Sequence, residues 1–471
     1  MLIDKIMASK KMYLMFLYGV STAALILGIS YTLLPVKVDL MGIRVYLAQL
    51  FLQDGTLVGI AESMYQIADF HIAYYFYIAL YGLLTGQVQA ENIYIQLQLA
   101  AFGALFLILP YCVVKSFHSS RLVLISPFLL FLLIWQHFLR VYYTDYWGMG
   151  WAIFFSLPLF FMFLKKYNTV ATLWKTYLAL CMLAGITNIP RAHAGVGIIT
   201  VAIVLMLYSV YHHIVWNVWQ KAIRSVGVIL LAVFGYFLFT LIIPNVYLST
   251  FGYDPTTTAT KEHKLGSWHT LYIGLGWDNP ICISPKISFL ARENPYNIFF
   301  SDECAMEAVS RENQIPLASY TNVKEHFGYA KEAKSAFSEN FTEGYFDILK
   351  NLYFKAFEEY PLWFIGSYIK KFFVCGLMLL KDTFAYIVFV GAVYFTIRKK
   401  YPVRIGGIVG KGLYGVLGVL ILFGLLPGLI AVPSHVYLLG SVAAVQSICF
   451  LVLLELLAST PYFRKDEHIY G

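Results

Sequence analysis

VDLMGIRVYLAQLFLQDGTLVGIAESMYQIADFHIAYYFYIALYGLLTG, residues Val38–Gly86, follows directly on the first apolar run of the chain. It is polar and aromatic in a chain otherwise built from apolar runs, and it holds Asp39, Asp54, Glu62, Asp69 and His71. Val45, Leu47, Leu50 and Phe51 recur at helical spacing and predict a helix over Ile43–Asp54. A second is predicted over Phe70–Thr85, with a loop between the two. Helices this rich in Tyr and Phe suit a membrane surface, where a ring is half wet and half in lipid. A stretch of this kind belongs beside a membrane, and the rest of the sequence supplies one.

The chain is 59% hydrophobic and 13% charged, with a mean hydropathy of +0.68. Soluble domains carry about 25% charged residues, so the composition points to a polytopic membrane protein. Met15–Leu34 is long enough to span and needs no cleavable leader. Further spans are predicted at Tyr94–Val114, Leu122–Leu139, Trp147–Leu164, Thr176–Ile189, Val196–Val215, Ser225–Ile243, Thr383–Ile397, Gly412–Leu429 and Val436–Leu457, about ten in all. Cations cluster on alternate loops: Lys5/Lys10/Lys11, Lys115/Arg121, Lys165/Lys166/Lys175, Lys221/Arg224, Arg398/Lys399/Lys400/Arg404/Lys411 and Arg464/Lys465. The opposite loops hold Lys37, Arg44, Arg140 and Arg191. The positive-inside rule then makes both termini cytoplasmic and turns Val38–Gly86 and Pro244–Tyr368 outward, across the cytoplasmic membrane.

The predicted fold class is mainly α, a polytopic helical membrane protein with juxtamembrane helices and a small extracytoplasmic α-rich domain. Residues 1–244 form an N-terminal transmembrane module with a first outer loop at 36–92; 245–367 form the outer domain; 368–471 form a C-terminal transmembrane module. In the outer domain, Ala305–Arg311 and Asn322–Phe357 carry helical patterns. Pro361–Leu380 is interrupted by Lys370 and Lys371 and reads as an interfacial helix returning to the bilayer, with Lys381 at the outer headgroup level. Cys112, Cys181, Cys375 and Cys449 lie in apolar runs as small hydrophobes. Cys282 and Cys304 lie in the outward region, where an oxidising exterior permits a disulfide.

Several outward groups are suited to chemistry. Asp39 and Asp145, the latter in HFLRVYYTDYWGMGW, are acids at span ends on one face. A carboxylate there deprotonates a hydroxyl or holds a divalent cation, Mg or Mn, for which Asp145 is the candidate ligand. The alternative for either acid alone is a solvated loop residue. NIPRAHAG, Asn188–Gly195, offers Arg191 and His193 to a phosphate or merely to lipid headgroups. SWHTLYIGLGWDNP, Ser267–Pro280, concentrates Trp268, His269, Trp277 and Asp278, a set fitting either a sugar face or a small domain's core. His435 stands at the outer mouth of the last span. No catalytic Ser/His/Asp order or P-loop is present, and the lack of basic–aromatic interleaving argues against nucleic acid.

In layout the chain resembles the GT-C superfamily of integral-membrane glycosyltransferases. The resemblance rests on an acid soon after the first span, Asp39, and on the aromatic run HIAYYFYIALYGLLTG closed by Gly86. It continues in the second acid of RVYYTDYWGMGW and the Pro-headed helix YPLWFIGSYIKKF. It departs at the Arg-Tyr pair common at the start of a late span, where this chain has Ser434-His435-Val436-Tyr437.

The resemblance implies a polyprenyl-phosphate-linked sugar as donor and a glycan, lipid or protein as acceptor, on the extracytoplasmic side. It implies Asp39 as general base with inversion, Asp145 as its catalytic companion, and Arg191, His193, Lys381 and His435 as candidates for the donor phosphate. His71, Tyr143, Trp268 and His269 are candidate substrate contacts. A transporter or flippase of lipid-linked sugars is the rival reading. It favours polar groups at the bilayer midplane and inverted repeats, whereas polar residues here collect at span ends.

Overall fold

The computed structural model describes residues 48–53, 55–66, 72–90, 92–93, 96, 109, 113, 120–138, 170–189, 194–211, 215–255, 267–279, 295, 298–300, 302–313, 345–382, 404–405, 408–409, 425–431, 433 and 435–459. These are mainly helical: α1 Leu57–Gln66, α2 Ile72–Thr85, α3 Ser120–Phe138, α4 Val170–Thr187, α5 Val196–Tyr211 and α6 Val218–Phe237. A π-turn over Leu238–Ile242 joins α6 to α7, Ile243–Thr250. Then come α8 Ser267–Gly274, α9 Asp302–Asn313, α10 Tyr345–Glu359, α11 Pro361–Asp382, α12 Leu426–Ile430 and α13 His435–Ser459. The described strands are one two-residue antiparallel pair, Arg404–Ile405 with Ile408–Val409.

Three described stretches are long and apolar enough to cross a membrane: Val218–Thr250, Pro361–Lys381 and Gly440–Ala458. The first and last cover spans read from the sequence. The middle one takes in the stretch that the sequence reads as an interfacial helix, and by length and composition it is also long enough to cross. Pro361–Asp382 is an unbroken helix of 22 residues, because Lys371 turns inward and finds acceptors instead of interrupting the apolar pattern. Residues 244 and 367, read as module boundaries, both lie within continuous helix. The spans predicted around Met15, Trp147 and Thr383 fall outside the described residues.

Helices α3, α4, α5, α6, α12, α13 and the second half of α11 share one apolar core, including Leu180, Ile198, Leu205, Cys375, Leu379, Leu438 and Phe450. Their directions follow from contacts along them. Tyr177 Oη donates to the Val228 carbonyl at 2.8 Å, and further along Gly185 lies against Gly235 and Tyr236, so α4 and α6 run the same way. The start of α5 lies against the start of α13, with Gly197 facing Gly440. One end of the bundle therefore gathers the last turns of α4 and α6 and the first turns of α5 and α13. Lys175, Lys221 and Arg224 belong to the other end. There Arg224 stacks on Trp216 at 4.0 Å and Lys221 on Tyr211 at 5.5 Å.

α6 starts on a reciprocal cap, Gln220 N donating to Asn217 Oδ1 at 2.9 Å and Asn217 N to Gln220 Oε1 at 3.3 Å. It ends in a π-turn for an identifiable reason. Pro244 has no N–H, so the helix shifts register and Ile243 N bonds Leu238 O. That shift leaves the Phe239 carbonyl facing Pro244, and Tyr77 of α2 donates its hydroxyl to it at 3.0 Å. Tyr247 of α7 likewise donates to the Leu57 carbonyl of α1. The α1–α2 pair is thereby tied to the bundle by two tyrosines, around a core of Phe51, Met64, Tyr75, Phe76 and Leu248.

Here too the sequence reading needs correction. The predicted loop between Asp54 and Phe70 contains α1. Thr56 Oγ1 caps it by accepting from Gly59 N at 3.0 Å, and Gln66 donates to Glu62 four residues back. Its buried face is Gly59, Ile60, Ala61 and Met64, too short an apolar pattern to stand out among turn-forming neighbours.

Candidate functional site

A second core lies beyond the bundle's end, formed by α8, α9, α10 and the first half of α11, here called the cap. Tyr272, Leu275, Ile298, Ala305, Leu349 and Phe364 fill it. Pro361 sets its join to the bundle. It cannot bond back into α10, so α10 stops at Glu359, and its fixed φ starts α11 in a new direction. The two helices fold back on each other through Tyr353–Phe364 and Phe357–Phe364 ring contacts at 5.0 and 5.3 Å. α11 then leaves the cap and continues into the bundle core as Cys375 and Leu379.

Polar chemistry collects where cap meets bundle. The last residue of α8 lies against the end of α12: a Cβ on Gly274 would stand 2.6 Å from the Ile430 carbonyl, so only glycine permits the approach. Lys371 reaches the same place from α11. Its side chain is 0% exposed, and Nζ donates to the Leu429 carbonyl at 3.1 Å and the Ala431 carbonyl at 2.9 Å. A cation satisfying the last carbonyls of a helix stabilises that terminus. The Tyr368 ring, 4.8 Å away, covers the ammonium from the cap side.

Next to it Asp278 is 1% exposed, and its Oδ2 is 3.6 Å from Lys370 Nζ. Its Oδ1 has no hydrogen-bond partner among the described residues. Burial raises the Asp278 carboxyl above its ordinary range, while the charge of Lys370 and, less strongly, that of Lys371 pull it back. Trp277 Nε1 donates to Ser367 Oγ at 2.8 Å, and Asn279 Nδ2 to the Ile298 carbonyl at 3.4 Å. Two adjacent lysines on one helix thus serve two purposes: Lys371 clamps α12, and Lys370 neutralises a buried acid.

Few of the residues singled out from the sequence meet at this seam. Asp39, His71, Tyr143, Asp145, Arg191, His193 and Cys282 lie outside the described residues. Cys304 is buried in the cap, where its Sγ accepts from Phe299 N at 3.3 Å. Trp268 and His269 belong to the cap core: His269 is buried, and Trp268 packs on Tyr353 and Phe354 at 5.9 and 5.5 Å with Lys350 at 5.7 Å. Of the two readings of that stretch, a sugar face or a small domain's core, the packing of α10 on Trp268 fits the core.

His435 opens α13 at the cap end of the bundle. Lys381 is exposed in the last turn of α11, ten residues or roughly 15 Å along the helix from Lys371. The flanks of the Arg191 loop are held at the cap end, where Asn188 Oδ1 accepts from Gly195 N at 2.7 Å and Ile189 packs on the α1–α2 cluster.

Sequence reasoning missed Lys370, Lys371 and Ser367. Two lysines within an apolar helix resemble an interruption, and only the converging carbonyls of Leu429 and Ala431 reveal their use. The described residues hold no group of three or more His, Cys, Asp or Glu able to bind a metal ion. Comparison of the chain with protein-family models, with curated proteins and with solved structures returns no match.

Proposed function

We propose that this chain is a membrane glycosyltransferase of GT-C type, moving a sugar from a polyprenyl-phosphate donor to an acceptor on the extracytoplasmic side. The observation that carries the reading is the seam. A polar cap is clamped through Lys371 and Gly274 onto the end of an apolar bundle, while the α1–α2 pair and the flanks of the Arg191 loop gather at that same end. A reaction joining a lipid-borne donor to a water-borne acceptor needs such a boundary. The Pro-headed helix of the resemblance is α11, whose two halves belong to cap and bundle.

In the proposed reaction Asp39 takes the proton of an acceptor hydroxyl, and the oxygen attacks the anomeric carbon opposite the lipid phosphate, inverting that centre. A positioned base of this kind typically contributes ~10²–10⁴-fold. Charge develops on the departing phosphate, so Arg191 and His193, with His435 nearby, supply the stabilising donors. Asp145 orients the acceptor or holds a Mg or Mn ion. Lys381 is left out of this set because it stands well along α11 from the seam.

Asp39→Asn keeps size and removes basicity. The expected outcome is retained binding of a polyprenyl-phosphate sugar with turnover lowered at least ~10²-fold; near-normal turnover would refute the assignment. The rival transporter reading takes some support from Gln446, buried within α13, but such a polar group equally serves helix–helix packing.

A further inference from the structure

The end of the bundle away from the seam gathers cations without acids. Tyr177 of α4 donates to the Val228 carbonyl of α6, and a Cβ on Gly227 would stand 3.7 Å from the Trp174 ring. The first turns of α4 therefore lie beside Gly227 and Val228. Lys175 comes just before Tyr177, and Arg224 one turn before Val228, so the pairing of the helices sets both near one level. Lys221 is about one turn further out. Among the described residues none of these three forms an ion pair, whereas Lys355 and Lys370, on the cap helices α10 and α11, each have one.

Arg224 is held in a way that leaves its donors open. Its guanidinium stacks on the Trp216 ring at 4.0 Å, which uses the face of the group and not its edge. The five N–H donors lie in that edge. Arg224 is half-buried, and among the described residues no oxygen accepts from it. Lys221, over the Tyr211 ring at 5.5 Å, is likewise without an acceptor among them. A guanidinium fixed by its face and open at its edge is prepared for paired hydrogen bonds to a phosphate.

Depth identifies what carries the phosphate. Val218–Thr250 is long and apolar enough to cross a membrane. From Val226 onward α6 exposes Leu230, Val233, Phe234 and Phe237, a surface suited to acyl chains. Just before it, Trp219 and Tyr211 are exposed, as residues of an interfacial aromatic belt are. Arg224 and Lys221 fall at that belt, the level of lipid headgroups. A zwitterionic headgroup would bring its own ammonium toward three cations, and an anionic one would not.

We propose that the ends of α4 and α6 beside Trp216 form a headgroup site for an anionic phospholipid. The edge of Arg224 holds the phosphate, and Lys221 and the exposed Lys175 supply further positive charge. The site is at the opposite end of the bundle from the seam, so the inference stands whether or not the protein transfers sugars.

The test is native mass spectrometry of purified full-length protein, delipidated in detergent and offered equal amounts of dioleoyl phosphatidylglycerol and dioleoyl phosphatidylcholine. The parent is expected to hold phosphatidylglycerol at least about fivefold over phosphatidylcholine, and the Arg224→Gln/Lys221→Gln variant to lose that preference. Lys350→Gln/Lys355→Gln, which removes two cations of the cap, is expected to keep it, and millimolar inorganic phosphate to leave the lipid bound. No preference in the parent, a preference retained by Arg224→Gln/Lys221→Gln, or an equal loss in the cap variant overturns the proposal. Displacement of the lipid by inorganic phosphate also overturns it, in favour of a soluble anion. If the double variant does not accumulate, Arg224→Lys keeps the charge and loses the planar fork; it is expected to weaken the preference, and full retention overturns the assignment.

Discussion

The bundle and the cap are both helical and both have apolar cores, yet different forces hold them. Bundle helices meet at small residues, so that Gly197 faces Gly440 and Gly185 faces Gly235 with no side chain between. Against lipid, burial of apolar surface gives little preference for a neighbouring helix, and close backbone approach is what remains. The cap is packed like a soluble domain, on Trp268, Tyr272, Tyr353 and Phe364, with aromatic rings 5–6 Å apart. Between the two lies a polar seam. The comparison teaches that a steric change should break the bundle, and a loss of hydrogen bonds should free the cap.

The largest effect is expected at Gly197→Leu. Its side chain would have to occupy the space of the Gly440 backbone, at a cost of about 3 kcal/mol or more. Loss of the monodisperse peak in detergent, or a large fall in Tm, checks this. Gly376→Leu is the contrast, since no described residue lies within 4 Å of a Cβ there. Equal damage from both would remove the distinction between bundle contacts and the exposed side of α11.

Lys371→Met should come second and should be local. It takes the donor from two carbonyls that end α12 and removes one of the two cations near Asp278, costing about 3 kcal/mol at the seam. Faster limited proteolysis of the cap, with the bundle's thermal transition little moved, is the expected signature. Parallel loss of both would make cap and bundle one cooperative unit.

The elements at these two sites were unequally legible in the sequence. Val196–Val215 and Val436–Leu457 are predominantly apolar, so the start of α5 and both ends of α13 could be read to within a residue or two. α1 was hidden because ten residues with a four-residue buried face look like the turn before them. α11 was legible as one Pro-headed helix, but the use of its lysines was not, since a buried lysine announces itself only through acceptors that are some 60 positions away in sequence. Asp278 was visible as a residue and not as a partner of Lys370, for the same reason. Contacts this distant leave no periodic trace.

The smallest effect sharpens the seam itself. Because the Asp278 carboxyl is raised in the folded chain, the native state holds its proton at pH values where the unfolded chain has released it. Cap stability should therefore fall as pH rises from the ordinary carboxylate value through the raised one, and be greatest below that window. Asp278→Asn removes the titration and should flatten the dependence, leaving a cap that is insensitive to pH in that range. Proteolysis rates from the ordinary carboxylate range upward in pH measure it, and an unchanged slope in Asp278→Asn would assign the dependence to another group.

The central claim is that the boundary between cap and bundle serves a transfer reaction. The direct measurement is sugar transfer by purified full-length protein in detergent, with a radiolabelled polyprenyl-phosphate sugar and a mixture of glycan, lipid and peptide acceptors. With no second compartment present, the proposed reaction requires label to move to an acceptor and free polyprenyl phosphate to appear in equal amount. No transfer with any donor in detergent, together with movement of intact labelled lipid across sealed liposomes containing the same protein, would contradict it and favour a transporter.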